Sequence, residues 1–140
     1  MKSAGFIYSL VTALIWASAA ICDKIAMTKA SPIVAVTVRS FTVSVFAFSL
    51  LLYSKKTTQP FTLDLKTIFF IALAGILAGL IGQWTYFKAL QNWEASRVVP
   101  VAGSYPLFAF IFSTILLSEP VTIKKISGTI LVILGVILLS

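Results

Sequence analysis

Arg39 is the residue whose position most demands a chemical explanation. It interrupts Ala30–Ser54, a stretch with no other charge. In a helix beginning at Pro32 it lies about seven residues, roughly 10 Å, from the helix end. A charge at the centre of a bilayer costs on the order of 3 kcal/mol unless it snorkels, finds a partner or faces water. Arg39 therefore either reaches the nearby interface, pairs with Asp23 or Glu94, or lines a polar cavity where it attracts an anionic group. Gln83 raises the same question, because an amide in an apolar segment needs a hydrogen-bond partner. Lys24, Lys88 and Arg97 are expected at the same end, where they would form a positive vestibule. The chain has no His, one cysteine (Cys22) and four carboxylates, all at or near segment ends. No metal cluster, no cofactor and no nucleophile–base set is visible. These groups suit binding a solute rather than transforming it, so an enzyme is not expected.

The segments that must position them are apolar. Ser3–Cys22, Thr67–Phe87, Val98–Ser118 and Ile126–Ser140 carry no charge, and Ala30–Ser54 carries only Arg39. A spanning helix needs about 20 mainly apolar residues, and backbone groups in lipid must be satisfied internally. The expected fold is all-α: a polytopic membrane protein of five transmembrane helices over about 4–22, 32–53, 66–90, 98–117 and 121–140, forming a single domain, 1–140. Pro32 and Pro120 suit the first turns of the second and fifth helices. Lys55–Asp64, with Pro60, reads as a solvent-exposed loop. The amino terminus imitates a secretory signal, with Lys2, an apolar core and Ala17-Ser18-Ala19, but four further apolar segments point to an uncleaved first span. The fifth segment is short beyond Lys125, so Lys124 and Lys125 must snorkel or the membrane must thin.

The net charge of +7 does not signal nucleic acid, because the basic residues sit at helix ends rather than on one soluble face. Five spans place Lys2, Lys55, Lys56, Lys66, Lys124 and Lys125 on the amino-terminal side. Lys24, Lys29, Lys88 and Arg97 fall on the other, with Arg39 as a fifth if it is counted. Flanking Lys and Arg orient membrane proteins, and this near balance only slightly favours a cytoplasmic amino terminus. Dual insertion into a prokaryotic cell membrane is expected to be possible, and two inverted copies would create the inverted-repeat architecture of transporters.

Helical periodicity sorts the polar residues onto faces. Gly5, Ser9, Thr12, Trp16, Ala19 and Asp23 form one stripe, and Ala35, Arg39, Thr42, Phe46, Ser49 and Tyr53 another. Gly75, Gly79, Gly82 and Tyr86 align on the third helix, with Gln83 at the edge and Trp84 opposite, as an interfacial anchor or a lipid contact. The glycines, with Gly128 and Gly135, suit close helix packing or a dimer contact. Ser9, Thr12 and Ser49 suit packing with their hydroxyls on backbone carbonyls. Trp16 fits either cavity lining or core packing. Pro100 and Pro106 bracket Gly103-Ser104-Tyr105, a break expected to flex or to line a pathway. Glu119 suits the amino-terminal end of the fifth helix, where the dipole favours an acid.

Trp16, Lys24, Pro32, Arg39, the glycine-rich third segment and Tyr86-Phe87-Lys88-Ala89-Leu90 together resemble the first half of the EamA pattern of the drug/metabolite transporter superfamily. So do Pro100, Tyr105-Pro106-Leu107, Leu117-Ser118-Glu119, Gly128 and Gly135-Val136. The resemblance covers essentially the whole chain and is similar to the five-span, half-size type. It implies a dimer, antiparallel and either a homodimer or a heterodimer with a sister half-size subunit, with a pathway between subunits. The chain departs from four-span small multidrug resistance proteins, since no acid precedes Asp23 in its first helix.

The expected function is a membrane transporter, exporting or exchanging small metabolites by alternating access. The basic end suggests an anionic or zwitterionic solute such as an amino acid. The residues expected on the substrate pathway are Trp16, Lys24, Arg39, Gln83, Tyr86, Lys88, Ser104 and Tyr105, with Pro100, Gly103 and Pro106 as the gating break. The alternatives are a flippase subunit for a lipid-linked substrate and a non-transporting membrane assembly subunit.

Overall fold

A chain this apolar closes its backbone hydrogen bonds within helices. The computed structural model describes residues 2–54 and 62–139, which are mostly helical with no strand among them. Lys55, Lys56 and Pro60 of the expected loop lie outside the described residues. Helix α1 spans Lys2–Ala26 and α2 spans Pro32–Tyr53. The third apolar stretch runs as α3 (Leu65–Ala74), a π-helical segment (Gly75–Gly82) and α4 (Gln83–Asn92). Then come α5 (Ala95–Ala102), α6 (Tyr105–Leu116) and α7 (Ile123–Leu139).

Among the described residues, four stretches are long and apolar enough to cross a bilayer: Gly5–Ala26, Pro32–Tyr53, Leu65–Asn92 and Ala95–Leu116. Helix α7, with 17 residues, measures about 26 Å, just under a hydrocarbon core of about 30 Å. Most large apolar side chains on these helices point outward, among them Phe6, Phe41, Phe70 and Leu131. An apolar surface this extensive suits a lipid surrounding rather than water. The chain is a multi-pass, all-α membrane protein.

Several helix bounds differ from the sequence expectation, each for a local reason. Helix α1 continues past Cys22 through Asp23 and Lys24 to Ala26, because both charges find partners and neither has to end the helix. The third stretch contains a π-helical segment, with wider turns than an α-helix. A Cβ on Gly82 would sit 3.0 Å from the Leu77 carbonyl oxygen. The expected fourth helix is two helices. Pro106 lacks the amide that would bond Ala102, four residues back, and Gly103 and Ser104 form the turn between α5 and α6. Pro120 does not open the fifth helix, which starts later, at Ile123. Ser118 turns the chain with φ 53°, and the Thr122 hydroxyl accepts the Lys125 amide at 3.3 Å, so Thr122 provides the cap.

The chain divides into two units, Met1–Cys22 with Asn92–Ser140, and Asp23–Gln91. In the first, α7 packs on α5 and α6, and Val98 is buried. In the second, α2 runs beside the π-helical segment, and Met27, Val36, Phe87 and Leu90 are buried. Those four lie at the end where α1 finishes, α2 begins and α4 finishes.

Candidate functional site

The second unit holds the polar cluster. Arg39 Nη1 donates to both oxygens of Asp23, at 3.2 Å and 3.0 Å. The Asp23 side chain is 17% exposed and that of Arg39 41%. Of the expectations for Arg39, pairing with Asp23 is the contact present. Asp23 is near the end of α1 and Arg39 two turns into α2, so one ion pair bridges two apolar helices joined by a short turn. The guanidinium uses only Nη1. Nε and Nη2 have no partner among the described residues, and a guanidinium carries five donors in a planar fork. Tyr86 on α4 is half-buried and close enough to interact electrostatically with both Asp23 and Arg39. Gln83 lies one turn before Tyr86 on the same face of α4. Its Nε2 is buried and has no hydrogen-bond partner, an arrangement rare for a buried donor.

Other groups close this end of the unit. Lys24 Nζ donates to the Leu90 carbonyl at 2.6 Å, where a cation suits the C-terminal end of a helix. Gln91 Nε2 donates to the Ala30 carbonyl at 3.2 Å. Lys88 Nζ lies 3.8 Å from the centroid of the Trp84 ring, a cation–π contact. Lys24 and Lys88 therefore both engage protein groups within this unit.

The first unit places its expected site residues differently. Trp16 is 60% exposed and Tyr105 57% exposed. The Ser104 hydroxyl donates to the Val101 carbonyl at 2.7 Å, within the break. Pro100 lies inside α5, and Pro106 in the first turn of α6. A Cβ on Gly103 would come within 2.9 Å of the Val99 carbonyl oxygen and 3.3 Å of that of Pro100, so the turn needs glycine. No heavy atom lies within 4 Å of a Cβ built on Gly75, Gly79, Gly128 or Gly135. These four do not mediate a close helix contact within the chain.

Sequence reasoning did not single out the groove between α6 and α7. It encloses about 490 Å³ and is lined by Pro106, Phe110, Ser113, Glu119, Lys125 and Thr129, among others. Lys125 Nζ donates to Glu119 at 3.1 Å and to the Pro120 carbonyl at 3.2 Å. Most other hydroxyls are satisfied by their own helix: Ser9 by Gly5, Thr12 by Tyr8, Thr42 by Val38 and Ser49 by Val45. Such back-bonding to the preceding turn makes them poor ligand groups. Among the described residues no three of His, Cys, Asp and Glu converge as a metal site would require.

The amino-acid sequence is similar to those of several known proteins. An uncharacterized protein of Methanocaldococcus jannaschii is 32% identical over 77 residues, 55% of this chain and 56% of that protein. An S-adenosylmethionine/S-adenosylhomocysteine transporter of Chlamydia muridarum is 29% identical over 84% of this chain and 36% of its own length. A probable amino-acid metabolite efflux pump of Salmonella typhimurium is 27% identical over 94% of this chain and 46% of its own length. The chain thus spans about half or less of each of these three relatives. No solved structure matches it. The match to the family as a whole runs over residues 3–140, nearly end to end, and on that ground the chain belongs to the EamA-like transporter family.

Proposed function

We propose that the protein moves a small metabolite across a prokaryotic cell membrane, as an exporter or exchanger working by alternating access. The observation that carries this reading is the Asp23–Arg39 pair. Two charges are retained on otherwise apolar helices, Asp23 near the end of α1 and Arg39 two turns into α2, and the Asp23 side chain is largely shielded from solvent. Spare donors on Arg39 and the buried, unpartnered Gln83 Nε2 leave hydrogen-bonding capacity that no group among the described residues uses. Such groups in a spanning segment mark solute pathways more often than structural contacts. Membership of the EamA-like transporter family supports the same reading. Two relatives are named for S-adenosylmethionine or S-adenosylhomocysteine and for amino-acid metabolites, which favours a solute with an amino-acid character.

The working form in this proposal is a dimer of oppositely inserted subunits, with an identical or a sister subunit as partner. The nearly equal numbers of basic residues on the two sides support insertion in both orientations. The open space beside Gly75, Gly79, Gly128 and Gly135 suits close approach of a second chain's helix. Trp16, Ser104 and Tyr105, with the Pro100–Pro106 break, are proposed to contribute to the pathway.

Purified full-length protein in sealed vesicles tests the transport claim. Time-dependent accumulation of at least one solute from a labelled metabolite mixture is expected, above vesicles without protein. Accumulation no greater than in empty vesicles across the whole mixture would remove it. A carboxy-terminal reporter pair, one active in cytoplasm and one outside it, is expected to signal on both sides. One fixed orientation would redirect the dimer proposal to a sister subunit.

A further inference from the structure

We infer that the Asp23–Arg39 pair is a zwitterion receptor: the ammonium and carboxylate of an α-amino-acid head group insert between the two side chains, each taking the place of the protein's opposite charge. This rests on the transporter reading above and specifies its solute class.

The geometry supplies each half of the exchange. Arg39 holds Asp23 through Nη1 alone, so a single nitrogen's contacts are given up when the guanidinium turns to a solute carboxylate, which Nη2 and Nε receive in the planar two-donor mode that guanidinium favours. Asp23 accepts from that single nitrogen, and a carboxylate has about four lone-pair sites, which leaves capacity for an ammonium. The Tyr86 hydroxyl, on α4, lies within coulombic range of both charges and has no hydrogen-bond partner among the described residues. One turn earlier on α4, the Gln83 amide is a buried donor without an acceptor. The unused groups are thus mostly donors, with one acidic acceptor. A carboxylate beside an ammonium complements that set.

The pair also explains what would be refused. A solute with only a carboxylate would displace Asp23 from Arg39 and leave it unpaired, and a solute with only an ammonium would leave Arg39 unpaired. Discrimination arises from the uncompensated charge as much as from the contacts made. A zwitterion alone replaces one satisfied pair with two.

The test uses the full chain in vesicles of phosphatidylglycerol and phosphatidylcholine, with L-leucine, N-acetyl-L-leucine and L-leucinamide as probes. Binding is followed by tryptophan fluorescence and by competition against labelled L-leucine. L-leucine is expected to bind at least tenfold more tightly than either blocked form. Asp23→Asn should invert the preference between L-leucine and N-acetyl-L-leucine, which a merely structural role for Asp23 would not do. The Asp23→Asn/Arg39→Gln double variant leaves no unpaired charge and keeps the proposal testable if a single variant fails to fold. It should remain folded and lose binding at least tenfold. Equal binding of the blocked forms, or full binding by the double variant, overturns the receptor. So does equal competition by glycerophosphoethanolamine, since a lipid head group would then be the ligand. Absence of binding by all three probes also overturns it, while the transporter reading fails only if no solute of the metabolite mixture accumulates.

Discussion

Two ion pairs among the described residues, Asp23–Arg39 and Glu119–Lys125, have cations of equal exposure and differ in almost everything else. Arg39 and Lys125 are each 41% exposed, but Asp23 is 17% exposed and Glu119 47%. The Asp23–Arg39 pair joins two different helices through two contacts. Lys125 reaches back six residues to a turn, through one contact to the acid and one to the Pro120 carbonyl. An exposed pair near a helix end is generally worth under about 1 kcal/mol. A pair within apolar helices is different in kind, because removing one partner leaves the other charge uncompensated. The first pair is therefore a device that cannot be halved, and the second is replaceable.

That contrast sets the largest expected effect. Arg39→Leu should destabilise the folded protein in detergent or lipid by about 3 kcal/mol, the scale of an unpaired charge in a spanning helix. Lys125→Leu should change it by less than about 1 kcal/mol. Thermal or denaturant unfolding of both variants in the same micelles reads the difference directly. Restoring neutrality with Asp23→Asn in the Arg39→Leu background should recover most of the loss. Equal losses for Arg39→Leu and Lys125→Leu would erase the distinction.

A smaller effect is expected at the break between α5 and α6. Gly103→Ala places a Cβ 2.9 Å from the Val99 carbonyl oxygen, and backbone cannot yield as the tip of a side chain can. The expected cost is about 1–3 kcal/mol by analogy with overpacked cores. Gly128→Ala, with open space around it, should be neutral or slightly stabilising in a subunit on its own, since alanine is the better helix former by roughly 1 kcal/mol. A loss of oligomer in Gly128→Ala, without loss of helicity, would instead place that glycine at a contact between chains. Sedimentation and circular dichroism on the same sample separate these outcomes.

How far the sequence reveals this molecule depends on whether a feature is local. Helix α2 begins at Pro32 and ends at Tyr53 because a proline start and a charge-poor run are both written in neighbouring residues. The break in the fourth segment follows from Pro100, Gly103 and Pro106 for the same reason. Helix α1 was expected to stop at its first charges, yet Asp23 and Lys24 remain helical because Arg39 and the Leu90 carbonyl meet them from distant positions. Nothing in the run Gly75–Gly82 distinguishes a π-helical turn from an α-helical one. Arg39 was legible from its depth, whereas its choice of Asp23 over Glu94 was not. The groove beside α7 escaped notice because Ser113 and Thr129 look like ordinary packing hydroxyls.

The smallest effect concerns the other acid at a helix start. Glu119 is too far from Ile123 to cap α7, and Thr122 does so instead. Asp64 does cap α3, accepting the Thr67 amide at 3.2 Å and the Thr67 hydroxyl. The Thr67 hydroxyl bond first, and then the Thr67 amide, hold the Asp64 carboxyl below its ordinary value of 3.8. A carboxyl depressed in the folded state binds protons more readily when unfolded, so its stabilising contribution is complete above about pH 5. It declines as pH falls through 3.8 toward the lower folded value. Asp64→Asn keeps a good capping residue without the charge. Amide exchange at Thr67 should therefore accelerate between pH 5 and pH 3 in the parent, after correction for intrinsic exchange, and stay flat in Asp64→Asn. Glu119→Gln should leave the Lys125 amide unchanged over the same range. If Lys125 instead follows pH as Thr67 does, Glu119 contributes to the start of α7 through the helix dipole, and the two acids are more alike than their hydrogen bonds suggest.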